Sequence, residues 1–202
     1  MTKLLPILRV EREVQPGAPP AVSFEFIQHD WFGAPLQQPA EFALVADPEW
    51  LVLVAPAEQN VEGSSEWGEA GYTEGLWHDT VVELFAAEKG TERYVELNLA
   101  PSGTWWGMCF SAPRTRSEHA WRQMRSPQVA RFREPRNGRM VVALRIEFGS
   151  VCRNPLQLRA NVCGVQRGAE LQYYSWIKLP GSAPDFHQPE SFAPCDFRGG
   201  AR

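Results

Sequence analysis

The chain has 202 residues, of which 44% are hydrophobic, and this length and composition fit one domain with a substantial buried core. Its 20 Lys and Arg residues against 24 Asp and Glu residues give a formal net charge of -4. Because binding to nucleic acids depends on neutralising phosphates, this charge argues against a general nucleic-acid-binding protein. We therefore predict a single domain over residues 1–202 without a nucleic-acid partner.

The N-terminal segment and the hydropathy of the chain bear on its location. The apolar run of residues 4–8 is broken by Pro6 and followed by charges, so it lacks the core of a signal peptide. No stretch approaches the roughly 20 apolar residues that a membrane helix needs. These features predict a soluble, cytoplasmic protein that has no membrane partner.

The cysteines are consistent with a reducing compartment. They are scattered and form no CxxC pair, which gives little support to zinc or redox ligation. We expect free thiols. Two disulfides remain the alternative if a sequence upstream of this chain directs its export. The four residues are Cys109, Cys152, Cys163 and Cys195.

Seventeen prolines and sixteen glycines separate short runs rich in β-branched and aromatic residues, which is typical of a β-sandwich or barrel. The segments EKGTER and PSGT between such runs predict hairpin turns, and hence sequential antiparallel strands. In chain order, the predicted strands begin at Val22 (VSFEFI), Phe42 (FALVA), Trp50 (WLVLVA), Thr80 (TVVELFA), Glu92 (ERYVELNLA), Thr104 (TWWGMCF), Val129 (VARFRE), Arg139 (RMVVALRIEF) and Leu156 (LQLRANVCGV).

Alternation within these strands predicts a protein of two layers. In the run RYVELNLA, the aliphatic side chains point to one face, and Tyr94, Glu96 and Asn98 point to the other. The run MVVALRIEF likewise repeats aliphatic residues at every second position. One face of the sheet is therefore expected to meet the core, while the other carries polar and aromatic groups.

Three further stretches are less regular. The polar stretch Glu58–Gly75 predicts a surface loop that borders a site. The basic run PRTRSEHAWRQMRS, from Pro113, would suit an anionic polymer or a protein partner, but we interpret it as a solvated connection. Trp105 and Trp106 point to opposite faces of their strand, so we expect one in the core and the other exposed.

The clearest constellation for binding lies in LWHDTVVELF. Trp77 stands at the beginning of a strand, and Glu83 follows at an even offset that can put both on one face. An aromatic plane packs on the C–H face of a pyranose, while carboxylates and amides bind its hydroxyls. In the alternative interpretation, Trp77 caps the core and Glu83 pairs with a cation such as Arg93.

With these residues in place, the chain resembles the family 9 carbohydrate-binding modules and their DOMON-like relatives. The resemblance rests on three blocks in the same order, WHDTVVELF, RYVELNLAPSG and YYSWIKLPGSAPDFHQPESF, and covers about residues 43–197. It implies an all-β, single antiparallel β-sandwich, jelly-roll-like, which binds a small sugar or a glycan end without catalysis. It implies no cofactor.

The resemblance also implies positions for the binding residues. In the family, two aromatic rings hold a sugar, and a carboxylate, an arginine and amides contact its hydroxyls. Two positions depart from this pattern: a glutamate replaces the arginine, and the second ring is Phe rather than Trp, which changes the expected selectivity. The matched residues are Trp77 and Phe186 for the rings, Glu83 for the carboxylate, Asn98 and Asn161 for the amides, and Glu96 at the arginine position.

Three other functions stay open on the sequence. Glu83 and Glu96 would suit the carboxylate pair of a glycoside-active enzyme. A protein partner would use the same face of the sandwich, if that face were flat and apolar. A haem-binding DOMON-like domain would need axial ligands in an apolar pocket, for which the chain offers Met108, Met124, Met140, His78, His119 and His187.

Overall fold

The computed structural model describes residues 3–58, 62–64 and 66–199. Residues 1, 2 and 200–202, at the ends of the predicted domain, and residues 59–61 and 65, within the predicted loop Glu58–Gly75, lie outside the described residues. The strands are β1 (Leu5–Arg9), β2 (Glu25–His29), β3 (Pro35–Ala46), β4 (Trp50–Pro56), β5 (Val81–Glu88), β6 (Tyr94–Leu99), β7 (Trp105–Ala112), β8 (Thr115–Arg116), β9 (Gln128–Arg133), β10 (Met140–Glu147), β11 (Leu158–Arg167), β12 (Leu171–Ser175) and β13 (Ala193–Gly199).

The helical segments are short and connect the strands. In the described part of the chain, no helix has the length and apolar character needed to cross a membrane. The α-helices are α1 (Glu118–Gln123) and α2 (Phe148–Val151), and the 3₁₀ helices are Leu76–His78, Pro155–Gln157 and Pro189–Ser191.

The strands form one curled sheet whose two halves pack face to face. Hydrogen-bonded neighbours follow the order β8-β7-β6-β5-β11-β13-β1-β3-β4-β10-β9, with β12 attached to β11 and β2 attached to β3. Aliphatic side chains from β3, β4 and β10 meet those from β5, β6 and β11 in one cluster, which we call the central core. The predicted all-β sandwich is confirmed, whereas the jelly-roll order stays a prediction.

The predicted antiparallel pairing is wrong at one junction. Strand β1 pairs in parallel with β13, where Leu5 is opposite Cys195, and in parallel with β3, where Leu8 is opposite Val45. A two-residue hairpin joins only antiparallel strands. Strand β1 comes from the beginning of the chain and β13 from its end, so no hairpin constrains their direction.

All nine predicted strands are present, and the structure adds β1, β8, β12 and β13. The sequence signal for these four is weak. Pro6 interrupts β1 and Pro194 interrupts β13, and prolines normally argue against a strand because they donate no ladder hydrogen bond. Strand β8 has two residues, which is too short for alternation to be visible.

The half of the sheet formed by β5, β6, β7 and β11 is buried on both faces. As alternation predicted, the aliphatic side chains of β6 enter the central core, and Tyr94, Glu96 and Asn98 point to the opposite face. Residues 176–192 cross that opposite face, and we call them the closing segment. Their Phe186 and Phe192 pack there with rings from the sheet. The candidate site lies on this face.

Gly164 on β11 is required by a close approach of the backbone. Its φ is +156°, and an added Cβ would lie 2.1 Å from the Val81 carbonyl oxygen. The Tyr174 hydroxyl, which donates to that oxygen at 2.7 Å, would lie 2.6 Å away. No side chain fits between these groups unless β5 and β12 move apart.

We predict that Gly164→Ala lowers the free energy of unfolding by at least about 2 kcal/mol, because the methyl group overpacks a rigid junction. Urea denaturation measures the change. Gly149→Ala is the matched control, since a Cβ there meets no atom within 4 Å, and we expect a change within about 0.5 kcal/mol. Equal stability of the two variants would contradict the close contact.

Candidate functional site

A cleft with a volume of about 410 Å³ opens on the face that the closing segment crosses. Its size is in the range of small-molecule sites, about 300–1,000 Å³. Aromatic rings form its walls, carboxylates lie on its floor, and arginines stand at its rim. The lining residues are Trp77, His78, Glu83, Phe85, Glu96, Trp106, Phe110, Arg114, Arg116, Val165, Tyr173, Pro184, Asp185, Phe186 and His187.

One wall is Trp77, which a short 3₁₀ helix presents to the cleft. The helix begins after Gly75, whose φ of +86° belongs to the left-handed region that favours glycine. Arg167 of β11 donates to the His78 carbonyl and thereby holds the end of the helix. The Trp77 ring meets Trp106 edge to face, at 4.9 Å between centroids, and stays partly exposed.

The opposite wall belongs to the closing segment, and Phe85 of β5 anchors it. The ring centroid of Phe85 lies 5.3 Å from His187, 6.0 Å from Phe192 and 6.3 Å from Phe186. Trp31 supports Phe186 from behind at 5.9 Å. Phe186 is buried, yet its ring lines the cleft.

The floor carries two carboxylates, Glu83 on β5 and Glu96 on β6. Glu83 is directly opposite Asn98, two residues from Glu96 along β6, so the two glutamates are diagonal neighbours on one face. Their exposed fractions are 3% and 4%. Burial raises the pKa of Glu96 to about 7, and burial together with the charge of Glu96 raises the pKa of Glu83 well above its usual value.

The two predicted amides do not line the cleft. Asn98 is fully buried and donates from Nδ2 to Glu96 Oε1 at 3.3 Å. Asn161 is also fully buried, and its amide exchanges hydrogen bonds with the Ser175 hydroxyl at 2.9 and 3.2 Å. Both side chains make their hydrogen bonds within the protein, so these amides support the floor. The structure thus brings Trp77, Glu83, Glu96 and Phe186 together in one cleft, with Asn98 and Asn161 outside its lining.

The arginines at the rim come from the basic run that we interpreted as a solvated connection. That interpretation is wrong for its first part, because β8 folds back along β7 and brings Arg114 and Arg116 to the cleft. Arg116 pairs with Glu74 at 2.9 Å, and Arg114 pairs with Asp185 at 2.9 Å. The sequence signal was the basic run directly after a strong strand. From the Glu58–Gly75 stretch, Glu74 contacts two residues that line the cleft, Arg116 and Trp106.

A hydrogen-bonded pair, the buried Tyr94 and the partly buried His187, adds a hydrogen-bond donor at one end of the cleft. The Tyr94 hydroxyl accepts from the Arg114 backbone N–H at 3.1 Å and lies 2.6 Å from His187 Nδ1. Burial lowers the pKa of His187 to about 4, so the ring is neutral at neutral pH. Donation from Tyr94 to Nδ1 leaves the proton on Nε2, which faces Glu96 Oε2 at 3.9 Å.

The prediction of one exposed tryptophan in the pair Trp105 and Trp106 is wrong, because the exposed fractions are 3% and 1%. Trp105 enters the central core and Trp106 takes the opposite face, as alternation requires. Trp106 is covered because Trp77 and Arg116 lie against it, and its Nε1 donates to Glu74 at 2.6 Å. Both faces of this half-sheet are covered, so neither ring is free.

Other side chains considered for chemistry lie elsewhere. Arg93, the alternative partner for Glu83, lines a separate cavity beside Cys109 and Met124. Met108 is buried in the ring cluster and does not line the cleft. Across residues 3–58, 62–64 and 66–199, no group of three or more His, Cys, Asp or Glu side chains is arranged to hold a metal ion. All four cysteines are free.

Comparisons with known proteins address the fold. No protein-family model matches the sequence, and no curated protein sequence is significantly similar to it. A candidate carbohydrate-binding protein from Bacteroides uniformis superposes with a TM-score of 0.61 at 16% identity, over 98% of this chain and 100% of that chain.

Two similar structures are family 9 carbohydrate-binding modules from Caldicellulosiruptor kristjanssonii. One, in complex with cellotriose, has a TM-score of 0.56 at 12% identity, over 98% of this chain and 95% of that chain. The other, in complex with glucose, has a TM-score of 0.54 at 14% identity, over 96% and 97%. The protein therefore has the fold of family 9 carbohydrate-binding modules, and the DOMON-like part of the resemblance stays a prediction.

We predict that Glu96 makes the free energy of unfolding depend on pH. Its pKa is raised from 4.5 to about 7 on folding, so the folded chain holds this proton over a range in which the unfolded chain releases it. The contribution of Glu96 to the free energy of unfolding is largest below about pH 4.5 and falls by on the order of 3 kcal/mol as the pH rises to about 7.

The measurement compares the wild type with Glu96→Gln by urea denaturation at about pH 5 and about pH 8. The comparison is needed because His187 has the opposite effect: its lowered pKa reduces the free energy of unfolding as the pH falls. The amide does not ionise, so we expect the variant to gain stability relative to the wild type at the higher pH. A difference that is the same at both pH values would contradict the raised pKa.

Proposed function

We propose that this protein is a non-catalytic carbohydrate-binding domain that takes a sugar ring into the cleft. The ring stacks on Trp77 with Phe186 on the other side, and the hydroxyls bind Glu83 and Glu96 on the floor. Such a ligand needs both an apolar surface for its C–H groups and hydrogen-bonding groups for its hydroxyls. The domain needs no cofactor for this role.

The observation that carries the proposal is one concave space with aromatic walls and a polar floor. Trp77, Phe85 and Phe186 supply the walls, and two carboxylates supply the floor. A partner protein is better matched by a flat apolar patch, whereas a cleft of about 410 Å³ suits a ligand of one or two rings. The shape therefore favours a small ligand over a protein partner.

The fold neighbours support the same proposal. The two modules from Caldicellulosiruptor kristjanssonii hold cellotriose and glucose, and each covers nearly the whole of this chain. Since the identities are 12% and 14%, their ligands support a sugar as the ligand class here and leave the particular sugar open.

In the family pattern an arginine on β6 would donate hydrogen bonds to the sugar, but Glu96 stands at that position here. The donors come from other elements. Arg114 reaches the rim from the turn between β7 and β8, Arg116 from β8 itself, and His187 from the closing segment. Both guanidinium groups are partly exposed and paired with rim carboxylates, so a sugar hydroxyl meets them at the opening of the cleft. The floor itself accepts hydrogen bonds.

The position of the carboxylates favours binding over catalysis. Glycoside hydrolysis uses two carboxyl groups that flank the scissile bond, one of them on the leaving-group oxygen. Glu83 and Glu96 are diagonal neighbours on one sheet face, so both lie beneath a sugar that rests on the floor. This arrangement suits the recognition of neighbouring hydroxyls.

We predict that Trp77→Ala weakens sugar binding at least about tenfold, equivalent to about 1.4 kcal/mol, because the stacking surface is lost. The measurement is isothermal titration calorimetry against a panel of glucose, galactose, mannose, glucosamine, N-acetylglucosamine and short β-linked oligomers. Each net hydrogen bond contributes on the order of 1 kcal/mol, so we expect modest affinity for monosaccharides.

Phe26→Ala is the matched control. Its ring is 52% exposed on β2 and does not line the cleft, so its removal tests for a general effect of losing a surface aromatic group. Near-ultraviolet circular dichroism confirms that both variants are folded. A folded wild type that binds no sugar in the panel would overturn the proposed function.

A further inference from the structure

The two floor carboxylates have no cation in contact with them. Among the residues that the structure describes, no Lys or Arg lies within 4.0 Å of Glu83 or Glu96. The one ionisable nitrogen at that range is His187 Nε2, 3.9 Å from Glu96 Oε2, and its ring is neutral at neutral pH because its pKa is lowered to about 4. Buried carboxylates are ordinarily paired or coordinate a metal.

Their hydrogen bonds are also incomplete. Glu96 accepts from Asn98 Nδ2 at 3.3 Å, and Glu83, 3% exposed, accepts no hydrogen bond from any described residue although it lines the cleft. The buried Oδ1 atom of Asn98 likewise has no donor among these residues. The floor thus has more hydrogen-bond acceptors than donors, and a ligand that donates several hydrogen bonds there would satisfy them.

The rim arginines compensate Glu96 only in part: their charges favour its ionised form, but burial outweighs them and its pKa is still raised to about 7. Arg114 is committed to Asp185 and Arg116 to Glu74, each at 2.9 Å, and their side chains are 62% and 42% exposed. Each rim cation is shared with a rim carboxylate, so the floor stays acidic on balance. The cleft is acidic at depth and electrically balanced at its opening.

Aromatic rings surround this acidic floor. Phe85 and Phe186 line the cleft with the two glutamates, together with Trp106 and Phe110, each of which has one ring face occupied, by Arg116 and by Tyr94 respectively. The face of an aromatic ring attracts a cation, by about 0.5–2 kcal/mol depending on desolvation, and carboxylates beside such rings add a direct ionic partner. This combination of groups is the one that recognises an ammonium ion.

We propose that the cleft prefers a sugar with a free amine, a hexosamine whose ammonium group lies at the floor beside Glu83 and Glu96. This inference rests on the proposed sugar-binding function and names its ligand class. A neutral sugar can donate hydroxyl protons to the same oxygens, but it leaves buried charge without a counterion. An ammonium group supplies three donors and one positive charge.

Binding of the ammonium group displaces a proton. Burial raises the pKa of both glutamates, so the free pair holds a proton near neutral pH, and this proton passes to the solvent as the carboxylate accepts the ammonium group. The other titratable or charged groups around the pair are Cys163 on β11, Tyr173 and Tyr174 on β12, Tyr94 on β6, Arg114 in the turn after β7, Arg116 on β8, Glu74 before the 3₁₀ helix, His78 in that helix, and Asp185 and His187 on the closing segment.

The test is calorimetric titration of the folded protein with glucosamine, N-acetylglucosamine and glucose at about pH 6.5, below the pKa of a primary amine of this kind. We expect glucosamine to bind at least about tenfold more tightly than glucose. N-acetylation removes the charge, so N-acetylglucosamine should lose this advantage. Titration in two buffers with different ionisation enthalpies should reveal proton release on binding of glucosamine but not of glucose.

Two substitutions assign the effect to the floor. Glu96→Gln and Glu83→Gln should each reduce the preference for glucosamine over glucose to less than about threefold, because the amide keeps the shape and removes the charge. Glu11→Gln is the matched control, since it removes an equal charge at an exposed position outside the cleft. It should retain the full preference.

The outcomes separate the inference from the proposed function. Equal binding of glucose and glucosamine by the wild type overturns the inference and leaves the sugar-binding function standing. A preference that survives both floor substitutions overturns the assignment to Glu83 and Glu96. A folded wild type that binds none of the three sugars, nor any sugar of the wider panel, overturns the function and the inference together.

Discussion

The cleft depends on the packing of the closing segment against Phe85. This one ring, in the middle of β5, contacts Phe186, His187 and Phe192. Without that contact the outer face of the half-sheet would be a flat surface open to water, and Trp77 would stand alone at its edge. With it, the face becomes a concave space between the 3₁₀ helix and the closing segment. The cleft therefore depends on contacts between residues that lie far apart in the sequence.

The same packing sets the electrostatics. A sheet face that is open to water can carry carboxylates at little cost, but a covered face desolvates them. Glu83 and Glu96 are buried, and among the described residues no Lys or Arg nitrogen lies within 4.0 Å of their carboxylate oxygens. Their pKa values are raised. The charges of Arg114 and Arg116 compensate the floor only in part, because burial outweighs their attraction for Glu96 and both have rim partners of their own. A binding face with this charge pattern discriminates ligands by their charge as well as by their shape.

Much of the fold could be predicted from alternation and turn residues. The run RYVELNLA placed its aliphatic side chains in the central core and Glu96 on the opposite face, as found. Trp77, Glu83 and Phe186 could be named from the resemblance in three short blocks. Asn98 and Asn161 lie on the predicted face but are fully buried, because a pattern of faces says which side a residue takes and not whether other groups cover it. Arg116 was missed because its contribution requires β8 to fold back along β7.

The sequence by itself determined the strand faces, the hairpins and the all-β class, because these follow from the period of two along a strand and from local turn preferences. Tertiary structure decided the parallel pairing of β1 with β13, the covering of Trp106, and the meeting of the closing segment with Phe85. The reason is physical. Local propensity acts over a few residues, whereas the cleft joins residues as distant in the sequence as Trp77 and Phe186, which come together only when the chain folds.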